Sequence, residues 1–400
     1  MINLEVPKKF QPLISQAHAV AAEVLRPISR KYDRAEHEYP KELDMLAAAI
    51  DGMSDQLGGA GASGVGGGTK AEGDAQNRNG SNMSTALSIM EMCWGDVGLL
   101  LSLPRQGLGN SAIASVANEE QLERFRGKWA AMAITEPGAG SDSAAIRTTA
   151  VLDGDEYVLN GEKIFVTSGE RADLIVVWAT LDPSKGREAI KSFVVPRDAP
   201  GLKLDRLEHK LGIRASDTAN FVLDNVRIPK ENLLGDPEIK KGFKGAMKTF
   251  DNTRPLVAAM AVGLARACIE ETRDRLAEAG VEVDYDRPAW SQHAAAAELL
   301  RLEADYEAAR LLTLEAAWMA DNRKPNSLQA SMAKAKAGRS AVDIALRCCE
   351  LCGSVGYSEA ALLEKWARDA KILDIFEGTQ QIQLLIIARQ LLGKTSAELK

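Results

Sequence analysis

The sequence predicts an α+β fold that is mainly α: an N-terminal helical domain, a central antiparallel β-domain and a C-terminal four-helix bundle. Residues 1–127 carry apolar side chains at three- and four-residue intervals, which is typical of helices. Residues 128–235 contain short β-prone runs between turn-rich segments, with no helix of useful length between them. Residues 236–400 return to long helical patterns separated by brief breaks. These shifts in pattern define the predicted domain boundaries.

The N-terminal domain begins with two helical patterns, "LISQAHAVAAEVLRPISRKYD" and "NMSTALSIMEMCW". Pro104 and Gly107 predict breaks between the later helices. Between the two patterns lies a Gly-rich segment, residues 57–80, which is nearly free of large apolar side chains. It contains a formal GxGxxG. A dinucleotide-binding fingerprint requires a strand before this motif and a helix directly after it, and neither is predicted here. We therefore expect a mobile loop there.

Four stretches carry the strand signals of the central domain. "EYVLNGEKIFVTSG" predicts a hairpin whose two strands are joined by a type I′ turn at Asn160 and Gly161. "DLIVVWATL", "AIKSFVVP" and "TANFVLDNVRIP" predict three further strands. Without intervening helices, an antiparallel sheet or a small barrel fits these runs better than βαβ units do.

The C-terminal domain contains four helical stretches, in residues 242–278, 291–321 and 327–356 and in a last helix that begins near Thr379. We expect this last helix to end near Gly393, because a glycine suits the left-handed position that follows a helix. Four helices with short connections indicate a four-helix bundle.

Composition excludes several classes of function. The net charge of −7 includes no basic run of the kind that binds nucleic acid. No apolar stretch is long enough to span a membrane, and the N-terminus lacks the apolar core of a signal peptide. Five cysteines and four scattered histidines favour neither a disulfide framework nor a metal centre. We expect a cytoplasmic protein without metal catalysis.

Two stretches of the central domain suggest a binding site. "AITEPGAGSD" places Thr135 and Ser141 beside glycines that allow main-chain N–H groups to approach a ligand. An ordinary Pro-Gly turn explains that loop equally well. "KIFVTSG" places the flat ring of Phe165 and the hydroxyl of Thr167 two residues apart, hence on one face of a strand. Such a face suits a planar heteroaromatic ligand, although a lone phenylalanine is more often part of a core.

The stretch "DIFEGTQQIQ" contains an acid in unusual surroundings. Glu377 lies between the apolar pair Ile375 and Phe376 and a glycine, just before a predicted helix. An acid among apolar neighbours is costly unless another group neutralises it or the protein uses it.

In order, the motifs "ITEPGAGSD", "NGEKIFVTSG", "KLGIRASDT…VRIPKENLLG", "FDNTRP" and "RDAKILDIFEGTQQIQ" resemble those of the FAD-dependent acyl-CoA dehydrogenase family. The resemblance covers most of residues 90–400. It implies the three-part fold described above, with FAD between the β-domain and the bundle.

The resemblance also implies a role for individual residues. Glu377 would be the catalytic base. The residues implied to contact FAD are Met132, Ile134, Thr135, Ser141, Phe165, Thr167, Gly353, Thr379 and Gln381, with Gly353 meeting a flavin held by a neighbouring subunit. The residues implied to contact the acyl-CoA are Ser141, Asp251, Arg254, Phe376 and Gly378. Some family members carry the base at the position of Thr253, but threonine cannot serve as a resting base.

Three departures from the family pattern stand out. The segment in which an arginine usually contacts a neighbouring FAD reads "AGVEVDYDRPAWSQH", where Arg287 is a possible substitute. Glu350 stands where a glutamine is usual. The usual "PEEYGG"-like stretch is absent, and the Gly-rich residues 57–80 occupy roughly its place.

The resemblance implies dehydrogenation of an acyl-CoA to a trans-2-enoyl-CoA. Glu377 would remove the α-proton, FAD N5 would take the β-hydride, and an electron-transfer flavoprotein would accept the electrons. Two alternatives remain open: an acyl-CoA oxidase that uses O₂, and a subunit that completes a partner's FAD site in a hetero-oligomer. We expect a homo-oligomer, either a dimer or a tetramer. The acyl chain length is left open by the sequence.

Overall fold

The computed structural model describes residues 6–48, 79–105, 107–236, 244–395 and 398, with main chain only for residues 244–252. The Gly-rich stretch lies outside the described residues except for its last two, Asn79 and Gly80. Within these ranges, no helix is both long enough and apolar enough to cross a membrane.

The N-terminal part is helical, as predicted. Its helices include α1 Gln11–Val20, α2 Arg26–Arg34, α3 Ser81–Gly95, α4 Val97–Leu101, α5 Leu108–Val116 and α6 Glu119–Arg124. Residues 42–48 are also helical. A π-helical turn, Ala21–Leu25, joins α1 to α2. The break predicted at Pro104 and Gly107 is confirmed, because both residues lie between α4 and α5.

The central part is one seven-stranded sheet. Its strands are β1 Ala130–Ala133, β2 Thr149–Asp153, β3 Glu156–Thr167, β4 Leu174–Thr180, β5 Ile190–Pro196, β6 Leu202–Leu207 and β7 Thr218–Pro229. Strands β2, β3, β7 and β6 pair antiparallel in that order, and β5 pairs antiparallel with β4. The pairing of β1 with β4 is parallel, so the sheet is mostly but not wholly antiparallel.

The predicted hairpin turn at Asn160 and Gly161 is wrong. These residues lie inside β3, a continuous strand of 12 residues, at a register shift against β7. Gly161 has φ +154°, and a Cβ there would lie 2.4 Å from Thr148 Oγ1. The glycine therefore serves a bulge and a close approach of two chain segments. The hairpin turn lies at Gly154, between β2 and β3.

The C-terminal part contains the predicted four-helix bundle. The four predicted helices are α7 Lys244–Glu278, α8 Ala294–Asp321, α9 Ser327–Leu351 and α11 Gln380–Leu392. Two further helices lie between α9 and α11, the short Gly353–Gly356 and α10 Leu363–Leu373. The sequence did not predict α10, which packs against α7 and α9. The limits of the last helix are as predicted: Thr379 caps its start and Gly393 follows its end with φ +63°.

A buried charged cluster joins the three parts. Lys365 on α10 donates to Asp96, the N-cap of α4, and to Asp369 on its own helix, each at 2.5 Å. Asp369 also accepts from the main-chain N–H of Ile213, in the loop between β6 and β7. These bonds hold the β-domain against both helical parts. They therefore also determine the shape of the space where the three parts meet.

Candidate active site

A cavity of about 1500 Å³ lies where the three parts meet. Its walls include the end of β1 and the loop after it, the end of β3, the middle of α3, the stretch of α7 from Thr253 to Met260 and the segment that leads into α11. The residues of "ITEPGAGSD", "KIFVTSG" and "DIFEGT" therefore face one space, although they are far apart in the sequence.

A buried ion pair fixes the loop that follows β1. Lys163 on β3 lies with its Nζ 2.7 Å from Glu136 Oε1 and 3.1 Å from the carbonyl oxygen of Ile134. The same carboxylate accepts bonds from Thr148 and from the main chain of Arg147. With these partners, Glu136 has a pKa below its usual value in spite of burial. The loop is thus an anchored structure and more than an ordinary Pro-Gly turn.

Phe165 presents its ring to the cavity through an unusual main-chain conformation. Its φ is +57°, within a register shift between β3 and β7. Phe165 is 58% exposed, although Lys163 and Val166 close to it in the strand are buried. Asn220 Oδ1 accepts the Phe165 N–H at 3.3 Å, which compensates for the interrupted ladder. Phe165 is therefore part of the cavity wall and not of the sheet core.

The segment before α11 is a tight turn. Glu377 has φ +56° and Gly378 has φ +98°, two consecutive residues in the left-handed region. Gln383, which is fully buried, donates through Nε2 to the carbonyl oxygens of both residues, at 3.2 and 3.1 Å. Thr379 Oγ1 accepts the Ile382 N–H and caps the helix. The turn places Glu377 in the cavity wall.

The Glu377 carboxyl group is the candidate acid–base group of the cavity. Burial raises its pKa from 4.5 to about 7, against the opposing effects of the Thr253 hydroxyl, Arg254 and Lys334. Its Oε2 is shielded from solvent and has no hydrogen-bond partner among the described residues. A carboxylate that titrates near neutral pH and keeps one oxygen unengaged has the properties of a general base.

Most of the residues expected at the site lie in this cavity wall. They are Met132, Ile134, Thr135, Ser141, Phe165, Thr167, Arg254, Phe376, Glu377, Gly378 and Thr379. Gln381 is exposed and outside the wall, and the side chain of Asp251 lies outside the described residues. Their contacts with ligands stay predictions.

The residues singled out for a neighbouring subunit lie away from the cavity. Gly353, with φ +55°, follows the end of α9 and is exposed. Glu350 pairs with Arg347 one turn earlier on the same helix. Arg287 donates to the carbonyl oxygen of Ser291 within its own loop. None of the three lines the cavity of this chain.

Sequence reasoning missed the polar groups behind the Glu377 turn. Lys334 on α9 is fully buried, and its Nζ donates to the carbonyl oxygen of Gly378 at 2.7 Å. A signal exists in the sequence: Lys334 continues a stripe with Ala330, Ala337 and Ala341, all on the buried face of α9. A lysine on such a face needs a partner, and the partner lies 44 residues away along the chain.

A histidine cluster lies elsewhere. The ligand atoms of Glu36, His37 and His209 lie within 4.8 Å of one another. Both Glu36 oxygens already have partners, His209 Nδ1 at 2.9 Å and the Lys210 N–H at 2.8 Å. An ordinary hydrogen-bonded pair accounts for Glu36 and His209, and the cluster is not in the cavity wall.

The cavity fits the FAD that the sequence motifs imply. It offers an exposed aromatic ring at Phe165 and hydroxyl groups at Thr135, Ser141 and Thr167. Arg389, also in the wall, has a shielded Nε without a partner among the described residues. A flat apolar surface with polar groups at its edge suits a ring system that carries a polar chain.

Comparisons with known proteins identify the family. The family models for the acyl-CoA dehydrogenase middle domain and C-terminal domain match residues 131–226 and 240–392. The chain is 35% identical over 404 residues to the short-chain specific mitochondrial acyl-CoA dehydrogenase of Rattus norvegicus, with 98% of this chain and 92% of that protein covered.

Solved structures agree. Butyryl-CoA dehydrogenase from Megasphaera elsdenii is similar with a TM-score of 0.84 and 31% identity, over 98% of this chain and all of that one. A chain described with the electron transferring flavoprotein of Acidaminococcus fermentans has a TM-score of 0.82 and 30% identity, over 98% of this chain and 100% of that one. Fold, motifs and relatives together show that this protein belongs to the acyl-CoA dehydrogenase family of FAD-dependent oxidoreductases.

Proposed function

We propose that the protein dehydrogenates a saturated acyl-CoA to a trans-2-enoyl-CoA, with Glu377 as the base that removes the α-proton. The observation that carries this proposal is the Glu377 carboxyl group, which lies in the cavity wall with a pKa of about 7 and one unengaged oxygen. An enzyme that removes a weakly acidic C–H proton needs a base whose pKa is matched to its working pH.

The residues of this chain divide the work. Glu377 takes the α-proton of the substrate. The electron pair of that α C–H bond forms the new double bond as the hydride leaves the β-carbon. Bound FAD supplies the hydride acceptor, at N5. Phe376 and Gly378 bound the space for the thioester, and the absence of a side chain at Gly378 lets the substrate lie against the main chain. Arg254 places a buried cation in the same wall, suited to the phosphates of CoA.

An electron-transfer flavoprotein is the acceptor we favour. The similarity to a chain described with such a flavoprotein supports this choice over O₂. Oxidation of the reduced enzyme by an added electron-transfer flavoprotein, without peroxide, would agree with it. Rapid peroxide formation in air would instead assign the protein as an oxidase.

A homo-oligomer is the assembly we favour. Four leucines of α11 are exposed in the single chain, at positions 384, 385, 391 and 392. Apolar side chains this close together commonly mark an interface. Light scattering would separate dimer from tetramer, and colourless protein that binds FAD only with a second chain would favour the hetero-oligomer.

The experiment that tests the proposal compares wild type with Glu377→Gln. Glutamine keeps the size and polarity of the side chain but cannot accept the proton. We expect Glu377→Gln to bind flavin normally and to lose the anaerobic bleaching of the flavin by acyl-CoA, by at least about a thousandfold in rate. A panel of acyl-CoAs of increasing length would identify the substrate in the same assay.

The matched control is Glu278→Gln, which changes an exposed acid at the end of α7. It should bleach at the rate of wild type. Bleaching of Glu377→Gln at that rate would refute the assigned base.

A further inference from the structure

Lys334 is a buried cation directly behind the Glu377 turn. Its side chain is fully buried, and Nζ donates to the carbonyl oxygen of Gly378 at 2.7 Å. The residue does not line the cavity. Lys334 therefore touches the turn from the side of α9 and reaches the substrate space only through Glu377 and Gly378.

The environment of Lys334 differs from that of two other fully buried lysines. Lys163 and Lys365 each form an ion pair, at 2.7 and 2.5 Å. Among the described residues, Lys334 Nζ has no carboxylate within 4.0 Å. A buried ammonium without a direct ion pair is costly, which explains why burial lowers the pKa of Lys334 to about 8. A lysine with only a structural role would be stabilised more by a carboxylate beside it than by a carbonyl oxygen.

Charged and polar groups on the neighbouring elements act on both Lys334 and Glu377. The acids that attract the Lys334 ammonium are Asp374 and Glu377, both in the turn. Arg254 on α7 repels it, and acts with it in favouring the ionised Glu377. The Thr253 hydroxyl, also on α7, hydrogen-bonds Glu377. Arg254 faces the cavity and meets whatever binds there, whereas Lys334 stays enclosed.

We propose that Lys334 is a positioning residue of the active site, which holds the Gly378 carbonyl from behind and adds its positive charge to that of Arg254 to keep Glu377 ionised before the proton transfer. This inference rests on the proposed function of Glu377 as the base. Burial alone disfavours the ionised carboxylate, so a cation nearby is needed to hold it charged at working pH. Placing that cation behind the turn leaves the unengaged Glu377 Oε2 to the substrate.

The geometric and electrostatic parts of the role are separable. Gln383 Nε2 also donates to the Gly378 carbonyl, at 3.1 Å, so the turn keeps one of its two donors when Lys334 is replaced. Lys334→Met removes donor and charge, Lys334→Gln removes the charge but keeps a donor, and Lys334→Arg keeps both. Lys336→Met is the matched control, because Lys336 lies on the same helix and pairs with Asp305 on α8.

The experiment measures the titration of Glu377 in the flavin-loaded protein. Infrared difference spectra of the carboxyl band, with Glu377→Gln as the blank, give the apparent pKa without turnover. The rate of anaerobic flavin bleaching against pH gives a second value. We expect Lys334→Met and Lys334→Gln to move both values upward by about one pH unit. Lys334→Arg and Lys336→Met should leave them at the wild-type position.

Unchanged titration of Glu377 in Lys334→Met or Lys334→Gln would overturn the inference and leave the proposed function standing. If neither of these variants folds while Lys334→Arg titrates as wild type does, the role is structural and the inference is also overturned. Failure of the proposed function is a different result, namely full bleaching activity in Glu377→Gln.

Discussion

Lys163 Nζ lies 2.7 Å from Glu136 Oε1, and both side chains are buried beneath the loop that lines one side of the cavity. Glu136 belongs to the loop after β1, and Lys163 belongs to β3 two residues before Phe165. The same ammonium also holds the carbonyl oxygen of Ile134. One ion pair therefore fixes the loop with Thr135 and the strand with Phe165 relative to each other.

Removing only one partner of the Lys163–Glu136 ion pair should strongly destabilise the protein. Glu136→Gln leaves the Lys163 ammonium buried without a carboxylate, and we expect a loss of about 3–5 kcal/mol in the free energy of unfolding, with weakened flavin binding. Urea unfolding and flavin absorbance per chain are the measurements. The double variant Glu136→Gln/Lys163→Met should recover part of the stability. A control, Asp153→Asn, weakens the exposed pair with Arg227 and should cost less than about 1 kcal/mol.

The position of Gly378 requires glycine for two reasons, its main-chain conformation and the lack of room for a Cβ. A matched pair of variants separates these two reasons. Gly378 has φ +98°, and a Cβ there would lie 2.4 Å from Gln383 Nε2. Gly280 has φ +77° with no atom within 4 Å of such a Cβ, so Gly280→Ala carries only the main-chain strain. We expect Gly378→Ala to lose bleaching activity by at least about tenfold through displacement of Glu377, and Gly280→Ala to keep it. Equal activity of the two variants would contradict this assignment.

The raised pKa of Glu377 predicts a pH dependence of stability with a definite sign. Its pKa is about 7 in the folded protein against 4.5 as the reference value, so the folded state holds the proton more tightly. The contribution to stability is complete below pH 4.5 and is lost as the pH rises through 7. Glu377→Gln should therefore exceed wild type in stability at pH 8, by at most about 3 kcal/mol, and match it near pH 4. Thermal unfolding at both pH values tests this, with Glu278→Gln as a variant that should follow wild type.

Local patterns determined the elements that depend on neighbouring residues. Helical periodicity placed the long helices of the bundle, and Thr379 and Gly393 marked the limits of α11 because caps act within one turn. The same local reasoning failed at Asn160 and Gly161. A turn-prone pair and a strand bulge look alike until the partner strand β7 and the close approach of Thr148 are known.

The sequence by itself determined the three-part fold, and its motifs marked Glu377 and the loop at Thr135. Only the tertiary structure decided which groups act on them: Lys163 beneath the loop, and Thr253, Arg254 and Lys334 around Glu377. Hydrogen bonds and charge interactions depend on distance in space, and Lys334 reaches Gly378 only because α9 packs against the turn before α11. Periodicity shows that Lys334 is buried, but only the packing of the helices shows what it faces.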